Sequence, residues 1–207
     1  TKIIYQNKTH IKTMNQELFN KAMETFDQVN SLDPNSIEIE GKKKPHEFVY
    51  AIWLSEWITK LNPNAGEELR LAARCQHLKR WEIPRSTYPE GLKGYNKWKK
   101  DLAVFHSEEA GKILKEVGYD DPVIERVKSI NLKKNLKTDP EVQTMEDALC
   151  LVTLQHQIEG FSLKHDDEKM IGIIRKTWEK MSEFAKAEAL KLHYSERVLG
   201  LIKKAIS

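Results

Sequence analysis

Residues 139–158, DPEVQTMEDALCLVTLQHQI, decide the fold class. Asp139-Pro140 is a helix-opening pair: the aspartate caps the first orphan N–H groups, and proline fits the first turn without losing a hydrogen bond. Behind it, Leu149, Leu151, Val152, Leu154 and Ile158 form an apolar run too long for one strand, as a long, central helix requires. Working toward the N-terminus, the same code repeats. Asp121-Pro122 opens another helix, and Gly118 stops the one that runs from about Tyr95 to Val117. A third helix covers about Glu67 to Arg80 through Leu71, Ala72, Cys75 and Leu78. A second opens near Pro45 and ends at Asn62-Pro63-Asn64, with Phe48, Ile52, Trp53, Leu54, Trp57, Ile58 and Leu61 on a broad apolar face. The first starts at about Asn15 and carries Leu18, Ala22, Phe26 and Val29. Toward the C-terminus, helices are expected over 166–181, 182–192 and 195–206.

Only Ser36-Ile-Glu-Ile-Glu40 alternates with period two, which predicts at most one short β-hairpin near 36–43. The expected fold is therefore all-α, a single irregular bundle of about eight helices over residues 14–207. Residues 1–13 lack a helical period and are expected to be a poorly ordered extension.

Composition narrows the function classes. The chain has 207 residues, 40% hydrophobic and 31% charged, which is globular in character. No apolar run approaches the roughly 20 residues of a membrane helix, and no secretory leader pattern is visible, so a cytoplasmic location without a membrane partner is expected. Two cysteines, Cys75 and Cys150, exclude a disulfide scaffold and a four-cysteine zinc site. The net charge of +3 conceals an asymmetry. Residues 70–100 hold nine basic side chains against Glu82 and Glu90, while 139–169 hold eight acids against Lys164 and Lys169. Such a division suits a site with an acidic wall for cations and a basic wall for an anion.

Titratable groups beside an apolar stripe mark candidate chemistry. His46 stands at the entry of the second helix, His77 at the end of the third, and Asp147 with Glu146 in the middle of the central helix. Two imidazoles and a carboxylate from three helices can converge in a bundle and hold one divalent metal, with Mn, Co, Zn, Fe and Mg as candidates. Glu146 is the adjacent acid/base candidate. For a phosphorylated substrate, Arg74, Arg80, Arg85 and Lys99 are the cations on one side, and Lys169, Arg175 and Lys176 come from a late helix. Trp81, Tyr88, Tyr95 and Trp98 could stack on a base.

The order and spacing of these groups resemble the HD-domain phosphohydrolase core: a histidine opening one helix, a His-Asp pair about thirty residues on, and a late central aspartate. His106 resembles the further helix-start histidine of several HD enzymes and joins Glu146 as a catalytic candidate. The sequence departs from that pattern at Gln76-His77-Leu78, where no aspartate stands beside the histidine. Either His77 takes the aspartate's place and Gln76 the histidine's, or a ligand is missing. Most of the chain also resembles the domain of unknown function 4202 family, often labelled glutamyl-tRNA synthetase. The match is carried by AARCQHLKRWEIPR (72–85), Tyr88-Pro89, GYNKW (94–98), EDALCL (146–151) and KMIGIIRKTW (169–178). No βαβ pattern or synthetase signature accompanies these motifs, so an aminoacyl-tRNA synthetase is not expected.

The resemblance implies a metal-dependent phosphohydrolase acting on a nucleotide or other small phosphate ester. Two alternatives come from other classes. One is a non-catalytic module binding RNA or an acidic ligand through segment 70–100; the other is an HD-type di-iron oxygenase, for which Asn131 stands where a histidine is wanted.

Overall fold

A computed structural model describes the backbone from Lys2 to Ser207 and the side chains from Gln16 onward. The chain is mostly α-helical, as expected. In order the elements are α1 (Lys2–Asn30), β1 (Ser36–Ile39), β2 (Lys42–Pro45), α2 (His46–Leu61), α3 (Glu67–Cys75), α4 (Gly91–Val117), α5 (Asp121–Asn131), α6 (Pro140–Val152), α7 (Ile158–Ser162), α8 (Asp167–Trp178), α9 (Glu183–Ala189) and α10 (Glu196–Ile206). Among the described residues that is ten helices, where about eight were expected. One reason is that a π-helical turn, Thr153–Gln157, separates α6 from α7 inside what the sequence presents as one helix. The helix α1 begins before Asn15, and the expectation of a poorly ordered extension over 1–13 lies outside the residues with described side chains. No helix among the described residues is long and apolar enough to cross a membrane.

Two compact units divide the chain: residues 1–55 with 65–134, and residues 56–64 with 135–207. In the first unit α1, α3, α4 and α5 pack on one another. Its core holds the fully buried Ala22, Phe26, Leu69, Leu71, Leu114 and Ile130. In the second unit α10 packs on α7 and α8, and α9 on α6, around Met145, Leu151, Leu154, Ile158 and Ile174.

Helix boundaries follow the expected side-chain chemistry. Asp120 accepts from Val123 N at 3.2 Å, and Asp139 from Glu141 N at 3.0 Å and Val142 N at 3.3 Å. Gly118, at φ 116°, closes α4, and its N–H donates to Leu114 O at 3.1 Å. Two serine caps in the second unit are clasped from a neighbouring helix. Ser182 accepts from Ala185 N while its own N–H and hydroxyl donate to Asp147 at 2.8 and 2.5 Å. Ser195 caps α10 by accepting from Val198 N, and donates in the same way to Glu159 at 2.8 and 2.9 Å.

The irregular stretch between α3 and α4 is anchored rather than open. Trp98 Nε1 donates to Ile83 O at 2.9 Å, and Tyr88 OH to Asp101 at 2.9 Å. Arg85 reaches the carbonyls of Tyr88 and Pro89 at 3.0 and 2.9 Å. The aromatic side chains thus anchor the loop to α4. Gly94 makes this approach possible, because a Cβ there would lie 1.9 Å from Pro89 O. Gly94→Ala is expected to lower stability by about 2 kcal/mol, the cost of an overpacked contact against backbone. A thermal denaturation midpoint equal to that of the wild type would show that the loop yields instead.

Candidate imidazole–carboxylate centre

The hairpin assembles the site. Glu40 and Gly41 join β1 to β2 with φ 52° and 74°, the pair of positive values that a type I′ turn needs. The antiparallel register Ser36↔Pro45 then returns the chain to its starting point. As a result Asp33, just before β1, meets the first turn of α2. Its Oδ2 accepts from Glu47 N at 2.9 Å, and Asn35 O accepts from His46 N at 2.9 Å, so the start of α2 is capped from across the hairpin. The other oxygen, Asp33 Oδ1, accepts from both nitrogens of Asn35 at 2.9 Å.

The third contribution comes from the end of α3. That helix stops at Cys75, earlier than the Arg80 expected, and Lys79 adopts a left-handed conformation at φ 53°. Carbonyls at this end find side-chain donors instead of helical ones. Asn30 Nδ2 donates to Arg74 O at 3.1 Å, and His106 Nδ1, from α4, to Leu78 O at 2.6 Å. The turn presents His77 to α2, where its Nδ1 donates to Glu47 Oε2 at 3.1 Å.

Glu47 is the centre of the arrangement, at 4% exposure. Its Oε1 lies 3.2 Å from His46 Nδ1 and 3.7 Å from Arg80 Nε. Tyr50, one turn along α2, stacks on His77 with ring centroids 4.3 Å apart, and His106 lies beyond at 5.6 Å from His77. Burial would raise the carboxyl pKa of Glu47, but the charge and N–H groups of the two imidazoles outweigh it and hold the group well below the usual carboxylate range. The hydrogen bond to Glu47 raises His46. Burial lowers His77 despite Glu47, and burial together with the charge of His77 pushes His106 down to about 3.

Asp33, His46 and Glu47 each bring one donor atom within 4.8 Å of the others, a spacing that one cation can bridge. Elsewhere in the first unit, the buried His106 Nε2 and Gln76 Oε1 have no hydrogen-bond partner among the described residues. The structure thus brings together His46, His77, His106 and Arg80, with Gln76 next to His77 in the same turn. Asp33 and Glu47 were not anticipated. Asp33 reads in sequence as a turn residue, and Glu47 as an ordinary acid in a first helical turn.

Other expected site residues are engaged elsewhere. Arg74 forms a two-pronged pair with Asp27 at 2.6 and 2.7 Å. Arg85 holds backbone carbonyls, as above. Lys99 lies over the Tyr95 ring at 5.5 Å. Asp147, Glu146, Lys169, Arg175 and Lys176 belong to the second unit. There, both oxygens of Asp147 accept from Ser182, with Gln143 Nε2 adding a third bond at 2.9 Å. Glu146 is buried with Lys180 Nζ at 3.6 Å, Arg175 Nε donates to Ala205 O at 3.3 Å, and Lys169 and Lys176 are exposed.

Compared with known protein families, residues 20–202 match the model described as Domain of unknown function (DUF4202). No curated protein and no solved structure matches the chain.

Proposed function

Because the chain belongs to this family of unknown function, we propose from its own residues that the first unit is a metal-dependent phosphohydrolase acting on a small phosphate ester. One observation carries the reading. Around the buried carboxylate of Glu47 stand both the donors that a divalent cation takes, Asp33 and His46, and the guanidinium of Arg80, which an anion takes. An oxygen–nitrogen donor set of this kind fits Mn, Co, Zn, Fe or Mg. Asp33, His46 and Glu47 would hold the ion, with Asp33 and Glu47 standing where Asp147 was expected. Bound metal supplies a water whose pKa falls from 15.7 toward about 7.

The remaining roles belong to the chain. Glu47 fixes the ring orientation of His77 by accepting from its Nδ1. Arg80, held over Trp98 at 4.9 Å, offsets negative charge on a phosphoryl group. Gln76, next to His77 in the turn that follows α3, is the further substrate-binding candidate of this unit. His106 was expected to be catalytic, but a group pushed down to about 3 does not exchange protons near neutral pH, so it serves as a fixed neutral imidazole.

The test is a phosphatase screen across nucleotides and sugar phosphates with Mn, Co, Ni, Zn or Mg added. Turnover is expected that a chelator abolishes and that His46→Ala lowers by about 100-fold or more, while Arg80→Ala raises KM. Silence across all metals and substrates rejects the hydrolase.

A further inference from the structure

The first turns of α4 carry a motif that the Glu47 cluster does not use. Between Glu90 and Asp101 the helix has four lysines, Lys93, Lys97, Lys99 and Lys100, and no acid. Gly94, Trp98 and Leu102 are buried, so their side of the helix faces the interior of the unit. The opposite side is turned to solvent and bears two stripes. Leu92, Tyr95 and Lys99 recur at i, i+3 and i+7 and form one; Lys93, Lys97 and Lys100 recur at i, i+4 and i+7 and form the other. All six are exposed, Leu92 at 70% and Tyr95 at 43%. No side chain caps the first turn of α4, whose N–H groups add positive charge at this end. Lys97 is matched by Asp101, but Lys93 and Lys100 have no ion-pair partner among the described residues.

Such a face is complementary to a partner that is both acidic and apolar. Single-stranded nucleic acid fits it less well, because bases bind by stacking on open aromatic faces. Each nearby ring already has a cation over one face: Arg80 over Trp98 at 4.9 Å, Lys97 over Tyr88 at 5.7 Å and Lys99 over Tyr95 at 5.5 Å. Nor does a phosphate backbone give an exposed leucine anything to bury against. We propose that the solvent face of Leu92 to Lys100 in α4 is a docking surface for an acidic, amphipathic segment of another protein. Apolar side chains of that segment cover Leu92 and Tyr95, and its carboxylates meet Lys93 and Lys100 on the neighbouring stripe, which gives an apolar centre with a charged rim. About two helical turns make a small interface, so the association is weak and loosens as salt rises. The surface is independent of the phosphohydrolase reading.

A displayed library of random peptides, long enough for about four helical turns, supplies the probe when panned against the full chain. Fluorescence anisotropy of the enriched peptides then measures binding. They are expected to combine Glu or Asp with Leu, Phe or Trp at helical spacing. Leu92→Asp is expected to weaken them by about tenfold or more, and Lys93→Glu with Lys100→Glu by a similar factor that shrinks at high salt. Both variants change exposed positions, and a thermal melt checks that they fold. The proposal fails if no acidic, apolar peptide is enriched, or if the enriched peptides bind Leu92→Asp as tightly as wild type. A single-stranded RNA oligonucleotide probes the other occupant. Tight RNA binding that Lys93→Glu with Lys100→Glu abolishes and Leu92→Asp leaves unchanged overturns the proposal in favour of nucleic acid.

Discussion

Glu47→Ala is expected to destabilise the metal-free chain by about 3–5 kcal/mol, the cost of removing one partner from a buried charged network. The carboxylate is 4% exposed and accepts from two imidazole N–H groups, with a guanidinium nitrogen 3.7 Å away. Alanine strands these donors where little water reaches them. Glu47→Gln should fall between wild type and alanine. It matches the volume, but its amide offers one acceptor oxygen and turns an NH2 toward the other imidazole donor. The same substitution removes the group whose hydrogen bond raises His46, so the His46 pKa should drop in an NMR titration. Urea unfolding at pH 7.5 with a chelator present measures the stability change. A Glu47→Ala chain within about 1 kcal/mol of wild type would mean that the network contributes little.

The helical architecture is legible in the sequence because its stop and start signals are local. Asp139-Pro140, Asp121-Pro122 and Gly118 act within one turn of where they stand, and each bounds a helix as its chemistry predicts. The hairpin was visible in the alternation of residues 36–40, yet its consequence was not: that it would lay Asp33 against the backbone of Glu47, fourteen positions later. His46 and His77 were recognisable because an imidazole beside an apolar face is conspicuous. Their partner was not, because Glu47 and His77 are thirty residues apart and only the packing of α2 against the end of α3 joins them. Arg74 shows the converse. In sequence it is one of nine cations in a basic stretch, and in the fold it is half of a pair with Asp27, forty-seven positions away. The surplus charge of segment 70–100 is reduced further by the pairing of Lys79 with Glu109 at 2.6 Å and of Lys97 with Asp101 at 2.6 Å. Charge counted along a chain says nothing about which charges are already matched across it.

Asp147 illustrates how one residue type serves two chemistries. An aspartate in the middle of an apolar helix stands out as a metal ligand or a capping anchor, and periodicity alone does not separate them. In the second unit it accepts two hydrogen bonds from Ser182 at the start of α9, with a third from Gln143 on its own helix, and Glu159 accepts two from Ser195 at the start of α10. Two acids about twelve positions apart on consecutive helices, clasping two serine caps, are a repeated structural device rather than a lone reactive group.

Acidification should expose the buried neutral imidazole of His106 as a liability. Its pKa of about 3 in the folded chain lies below the ordinary 6.5 of an unfolded histidine. Between those values the unfolded state binds the extra proton, so stability is fully present above pH 6.5 and falls as pH drops toward 3. The slope for one proton is about 1.4 kcal/mol per pH unit, which amounts to about 3 kcal/mol lost between pH 7 and pH 4. His77, also lowered, acts in the same direction, whereas His46, raised, contributes stability on the acid side and loses it as pH rises through its folded pKa. Comparison with His106→Gln isolates the one residue, since the substitution keeps a donor for Leu78 O and removes the titration. Amide exchange of α4, the helix that carries His106, assigns the measured opening to the first unit. With a chelator present, wild type should lose about 3 kcal/mol more than the variant between pH 7 and pH 4. Stability curves that run parallel through that interval would show that His106 accepts its proton in the folded chain as readily as in the unfolded one.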